Sequence, residues 1–457
     1  MLKVTFLTGE YPPMQGGIAD HTAYLARHLA PLGIESSILI SRRWAERNEE
    51  ARRRGGEVNS SPPRLLASSP HPLLLSSPPP VFASLPDWGW RCWPGVFQFL
   101  KTHQPDILHI QYQAAAFDLG GWVNWLPWFL KKRGLATRIV TTFHDLRVPY
   151  IFPKAGAFRW KSILALARHS DAVICTNRED LEQFSVASSQ WSVISNQFHT
   201  DASQFSISNL QSPISSAPLR PRPPAPLLTL IPLGSNIEPQ PPSDFERTAW
   251  RKKYQADTNT LLLAYFGFLN ESKGGEELIE ALALLRQQGI DARLLLIGGD
   301  LGHADPTNAA YAQRVQAVIE RHDLGQVVYR TGYTDLLQVS ANLLAADAVV
   351  MPYRDGVSFR RTTLIAALRH GCPVVSTTPA NPAFLPEIRP GENMLLAPPR
   401  DAAALAQTVA RLVNEPELRP RLAAGAKQLG DLFEWNKIAG QTVELYRGLS
   451  RGREGER

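Results

Sequence analysis

The chain has 457 residues, 44% of them hydrophobic and 20% charged, with a formal net charge of +6; this is room for two or three domains with sizeable cores. No apolar run reaches the roughly eighteen residues of a membrane span, and Cys92, Cys175 and Cys372 are too scattered for a disulfide framework or a thiolate metal site. The basic clusters "RRWAER", "ARRRGG" and "WFLKKRG" are interspersed with acidic residues and come with no nucleic-acid motif, so they read as solvated faces rather than a nucleic-acid surface.

The first residues, "MLKVTFLTGEYPP", read as a strand and a loop, not as a secretory leader, and the expected compartment is the cytoplasm. A helical stretch, "IADHTAYLARHLAPLG", follows and stops at Gly33. Apolar runs of strand length come next at "DILHIQYQ", "RIVTTFHD", "AVICTN" and "LLTLIPLG". The second half alternates more regularly: "LLLAYFGFL", "GGEELIEALALLRQQG", "ARLLLIGG", "NAAYAQRVQAVIERHDLG", "VVYRTG", "TDLLQVSANLLAA", "AVVMPY", "TTLIAALRH" and "PVVST". Short strands alternating with helices imply parallel sheets with crossover connections. Two such sets imply two α/β domains, with "IPLGSNIEPQPPSD" between them. The expected division is 1–236, 237–434 and a terminal helix over 435–457 that packs on either domain. Proline- and serine-rich tracts at 60–83 and 203–226 read as long loops on the first domain.

Ligands of open parallel sheets bind beyond the carboxyl ends of the strands, and this selects four loops. In "GEYPPMQGGIADH", Gly16 and Gly17 precede a helix, as a tight turn or as a loop whose amides receive an anion. His144 in "TTFHD" follows a strand and could bond a ligand hydroxyl, whereas His109 lies within a strand and suits the core. Lys273 in "YFGFLNESKGG" stands beside glycines at a helix start, suited to a phosphate. In "RDGVSFRRTTLIAALRH", Ser358 is a capping candidate and Arg360 and Arg361 open the helix. Cations are unfavourable at that positive end unless an anion joins them. The absence of D-x-D, P-loop and nucleophile-elbow patterns removes the chemistries those motifs carry.

In order and spacing, "GGIADHTAYLARHL", "PDILHIQ", "TTFHD", "IPLGSN", "YFGFLNESKGGEELIEAL", "LLLIGG", "RHGCPVVST", "PGENMLLAPPRDAAALAQTV" and "FEWNKIAGQTVELY" resemble the retaining glycosyltransferases of family 4. The resemblance implies a GT-B fold of two Rossmann-like domains facing a cleft. It implies a nucleotide diphosphate sugar as donor and a glycan, lipid or small-molecule acceptor. No metal and no cofactor are implied. By position it gives His144, Lys273 and Arg360 catalytic roles and assigns donor contacts to Gly16, Gly17, Gly267, Lys273, Ser358, Arg360 and Arg361. Asp20 and His21 fall on the acceptor side.

The family's two glutamates, seven residues apart, fall on Ser358 and Ala366, and its diphosphate arginine falls on Phe268. The missing arginine is therefore expected to be replaced by Arg360 or Arg361, acting with Lys273. The alternative is a non-catalytic sugar-nucleotide binder; an epimerase acting on the nucleotide sugar lacks identifiable acids. "GGWVNWLPWFLKKRG" sets Trp122, Trp125, Trp128 and Phe129 beside Lys131, Lys132 and Arg133, an arrangement suited to peripheral contact with the inner face of the cell membrane.

Overall fold

The computed structural model describes residues 1–14, 16–46, 49, 78–146, 156–187, 193–194, 225–298 and 306–451. Most of both proline-rich tracts lies outside these residues. Eight parallel strands form the first sheet: β1 (Leu2–Thr8), β2 (Ile34–Ser41), β3 (Val81–Leu85), β4 (Ile107–Tyr112), β5 (Arg138–Phe143), β6 (Ala172–Cys175), β7 (Val193–Ile194) and β8 (Leu227–Leu230), in the order β3-β2-β1-β4-β5-β6-β8-β7. Six more form the second: β9 (Leu261–Phe266), β10 (Ala292–Ile297), β11 (Val328–Arg330), β12 (Ala348–Met351), β13 (Val374–Thr377) and β14 (Leu395–Ala397), in the order β11-β10-β9-β12-β13-β14. Central strands such as β4, β6 and β12 are buried along their whole length. Helices therefore cover both faces, and the strands read as unbroken apolar runs.

Two strands depart from that pattern. β2 begins with the polar stretch "IESS" and does not read as an apolar run. β3 takes in residues assigned to the first proline-rich loop. Val81 follows the last proline of the tract and pairs with Ile38 at the sheet edge, where a preceding proline is tolerated.

Strand order reverses between β1 and β4 in the first domain and between β9 and β12 in the second. At such switch points the crossovers diverge and leave a crevice beyond the strand ends. The loops after β1 and β5 and those after β9 and β12 carry the site residues singled out above.

The chain does not finish on the second domain. After the helix Leu418–Gly430 it returns in a long helix, Trp435–Arg451, which packs on the first domain's Gly17–Leu29 helix. Trp435, Ile438, Val443 and Tyr446 are buried in the first domain's hydrophobic cluster. Trp435 Nε1 donates to Ser235 O at 2.6 Å and its ring stacks on Tyr24. A Cβ on Gly234 would lie 2.4 Å from the indole, so the strap that joins the domains needs glycine there.

Candidate active site

Between the domains lies a cavity of about 240 Å³, lined on one side by Gly17, His21, His144 and Asp145 and on the other by Arg360 and Thr362, with Trp435 at its edge. Three expected residues from remote parts of the sequence, Gly17, His144 and Arg360, thus meet at one place. Gly16 is set back: a Cβ there would collide with the Glu10 carboxylate at 2.1 Å, whereas one on Gly17 would meet nothing within 4 Å. Asp20 accepts from Asn236 Nδ2 at 3.5 Å and is held above the usual carboxylate range by burial.

The imidazoles of His21 and His144 meet edge to face at 4.7 Å. Both are buried, and desolvation disfavours their charged forms. His21 falls to about 4. His144 falls well below its ordinary value through burial, then the neighbouring His21 and His109. Neither is an imidazolium at neutral pH. His109 is fully buried in β4, the core position its sequence context suggested.

The two arginines separate. Arg361 is the residue before the helix Thr362–Arg369, with no side-chain cap on that helix. It lies 4.1 Å over the Tyr353 ring and donates to Asp355 Oδ1 at 2.5 Å. Ser358, expected to cap this helix, instead accepts from the Arg360 amide at 3.3 Å, because the helix starts three residues further on than Ser358 could reach.

Arg360 reaches across the cleft. It donates to Glu179 Oε2 at 2.7 Å and to the fully buried Asp180. Both acids open the helix Arg178–Ala187, directly after β6, and Arg178 pairs back with Glu387 of the second domain. Sequence reasoning overlooked Glu179 and Asp180, although "NREDL" at the carboxyl end of an apolar strand was the available signal. Both arginines are thus paired with carboxylates, Arg360 with Glu179 and Asp180 of the first domain and Arg361 with Asp355 of its own loop.

Lys273 belongs with Arg361. A Cβ on Gly267, whose φ is 117°, would lie 3.2 Å from Lys273 Nζ and 3.1 Å from Thr363 Cγ2. The β9 loop and the opening of the Thr362–Arg369 helix therefore converge on this ammonium. No acidic side chain among the described residues pairs with it, and burial, then the Arg361 charge, lowers Lys273 to about 8. The next residue, Gly274, has φ 69°, and a Cβ there would strike Pro352 O at 2.0 Å, so only glycine lets the lysine turn dock.

The family's two acidic positions are visibly different here. Ala366 is fully buried in an apolar cluster, and Ser358 shares a second cavity of about 300 Å³ with Glu179. Phe268, where the family has arginine, is 47% exposed. No group of side chains suited to a metal occurs among the described residues.

The family description "Glycosyl transferases group 1" matches residues 246–429 and "Glycosyltransferase Family 4" matches residues 15–201, one on each domain. Together with the paired switch-point sheets they define a GT-B protein. The chain belongs to glycosyltransferase family 4. The D-inositol 3-phosphate glycosyltransferase of Streptomyces bingchenggensis is 25% identical over 228 residues, 50% of this chain and 49% of its own length. The phosphatidyl-myo-inositol mannosyltransferase of Mycobacterium leprae is 27% identical over 175 residues, 38% and 42% of the two lengths. The aligned part is thus about half of these relatives or less. Sucrose-phosphate synthase of Thermosynechococcus elongatus superposes with a TM-score of 0.63 at 20% identity, covering 99% of this chain and 100% of that one. HepE of Anabaena in complex with UDP gives 0.66 at 16%, covering 98% and 100%. These two likenesses concern the fold.

Proposed function

We propose that the protein transfers a sugar, with retention, from a nucleotide diphosphate sugar to a polyol, glycan or lipid-linked acceptor. The observation that carries this is the Lys273–Arg361 pair beside Gly267 and the uncapped helix at Thr362. Two cations, of which Arg361 is shared with Asp355, and a helix N-terminus make a seat for a dianionic diphosphate. Charge that develops on the leaving diphosphate is stabilised there by groups already in place. The sugar then extends from the seat into the cavity beside Gly17, His21 and His144, and Asp20 and His21 are assigned to the acceptor. Neutral His144 bonds a hydroxyl, and the leaving phosphate helps to accept the acceptor's proton on the same face. Relatives named for inositol phosphate and phosphatidylinositol acceptors support the acceptor class.

Thermal unfolding with UDP, GDP, ADP and their sugars tests this, since a ligand of the native state raises the midpoint. One nucleoside diphosphate is expected to stabilise the wild type but not Arg361→Ala, and its sugar conjugate to be hydrolysed slowly without acceptor. HepE, solved with UDP, makes UDP the first ligand to try. Stabilisation without hydrolysis or transfer over a broad acceptor panel would favour the binding protein that the absent glutamates suggest. No stabilisation by any of them would overturn the donor site.

Peripheral contact with an anionic membrane is part of the same proposal. Trp90, Trp122 and Trp128 are 58%, 45% and 37% exposed. Trp122, Trp93, Phe129 and Phe97 form a continuous row of ring contacts. Lys101 and Arg133 lie over Phe97, Arg133 also over Phe129, and Lys132 over Trp128. No Asp or Glu occurs from Trp88 to Pro105 or from Leu119 to His144. Lys131 is paired with Asp171, which leaves Arg91, Lys101, Lys132 and Arg133 at about 1 kcal/mol each near an anionic surface. Co-sedimentation with phosphatidylcholine–phosphatidylglycerol vesicles is expected, and its loss in Trp90→Ser/Trp122→Ser/Trp128→Ser. A wild type that stays in the supernatant removes the contact.

A further inference from the structure

Behind the cavity a buried polar chain runs inward from His144, and sugar transfer, as described, does not use its other members. His144 Nε2 lies 2.6 Å from Gln111 Oε1. On the other side, the Gln111 amide nitrogen lies 3.4 Å from His109 Nε2, which also meets Thr142 Oγ1 at 2.7 Å. His109 Nδ1 is 2.6 Å from the Tyr446 hydroxyl on the returning helix. His109, Gln111 and Tyr446 are fully buried. The register of β4 and β5, with Gln111 opposite Thr142, sets the row.

Proton inventory fixes the ring state of His144. An amide oxygen only accepts, so the proton between Gln111 and His144 sits on His144 Nε2. A neutral ring then carries its lone pair on Nδ1. The Gln111 amide nitrogen and the Thr142 hydroxyl converge on His109 Nε2, and the Tyr446 hydroxyl holds Nδ1. His144 lines the cavity, and its Nδ1 is not among the buried polar atoms without partners.

We propose that Gln111 is a positioning residue: it holds His144 in the Nε2–H form, so that Nδ1 meets a substrate hydroxyl in the cavity as an acceptor. Without the amide, the two ring forms are close in energy, and part of the population would present an N–H to a hydroxyl better placed to donate. The hydroxyl's identity rests on the sugar-transfer reading; the ring form does not.

The experiment uses the full chain with nitrogen-15 histidine, whose two-bond proton correlations separate the two neutral ring forms. His144→Ala assigns the signal. The Nε2–H pattern is expected for His144 in the wild type and a mixture of both patterns in Gln111→Met, which keeps the side-chain length. The rate constant kcat should fall on the order of tenfold to a hundredfold, with donor KM within about threefold. A purely structural role would leave the ring form unchanged. The Nδ1–H pattern in the wild type, or an unaltered pattern and rate in the variant, would overturn the proposal. Should Gln111→Met fail to fold, the wild-type spectrum decides alone. Should the wild type transfer no sugar, the functional reading falls while the spectrum still tests Gln111.

Discussion

Replacing Lys273 by Met should move stability and donor affinity in opposite directions. Met keeps most of the apolar stem and removes the ammonium. Burial and then Arg361 lower this lysine from 10.5 to about 8. At 1.36 kcal/mol per pH unit that drop corresponds to about 3 kcal/mol, an upper figure for what the charge costs the folded protein at pH 7. Both folded and unfolded chains hold the proton at pH 7, so Lys273→Met removes the whole cost. Above pH 8 the folded wild type sheds the proton first, and its own stability rises until about 10.5. A bound diphosphate reverses the balance, because charge-assisted bonds of about 1.5–3 kcal/mol each then act on the ammonium. The variant is therefore expected to unfold at higher urea and to bind its nucleoside diphosphate roughly tenfold to a hundredfold more weakly by calorimetry. Wild-type affinity should be full below pH 8 and fall as pH rises through it. A variant that is less stable yet binds as tightly as wild type would refute the assignment of Lys273 to the donor seat.

Acid should unfold the protein early. His21, His109 and His370 are held neutral at about 4, 3 and 4 by burial, against an ordinary 6.5. The unfolded chain therefore takes up more protons between pH 6.5 and 4, and each loses about 1.4 kcal/mol per pH unit as pH falls through that window. Asp20 and Asp180, raised by burial, bind protons more readily when folded and offset part of this; urea midpoints measured from pH 7 to 5 should nonetheless fall. Gly234→Ala should cost about 2 kcal/mol by pressing on Trp435, visible as a changed tryptophan emission and an earlier midpoint. Asp180→Ala should cost about 3 kcal/mol, because it leaves Arg360 held at the domain junction with only the more exposed Glu179. An unchanged midpoint would show that the tie across the cleft carries no net energy.

Alternation of strand and helix was legible because parallel strands covered on both faces must be apolar throughout; β9, β10 and β12 are visible in the sequence for that reason. β2 and β3 were not: β3 lies at the sheet edge, which admits a preceding proline, and β2 beside it leaves Glu35 exposed and Ser37 half-buried. The loops after β1, β5, β9 and β12 could be picked because their glycines and cations sit at strand ends. Their grouping could not. Arg360 and Arg361 are neighbours in sequence, yet one faces the acids after β6 and the other the lysine after β9. Local helix electrostatics treats the two alike, and only the packing of the domains tells them apart. The pairing of Gln111 with His144 was equally beyond reach, because it depends on the register of adjacent strands.

The return of Trp435–Arg451 to the first domain bears on how the molecule is made. A ribosome releases residues 1–230 before the indole of Trp435 and the ring of Tyr446 exist to fill their places among Phe6, His109 and Tyr24. Until the entire second domain has emerged, that nascent half carries an open apolar groove, and a chaperone that shields it would be occupied for as long as translation takes to reach the Trp435–Arg451 helix.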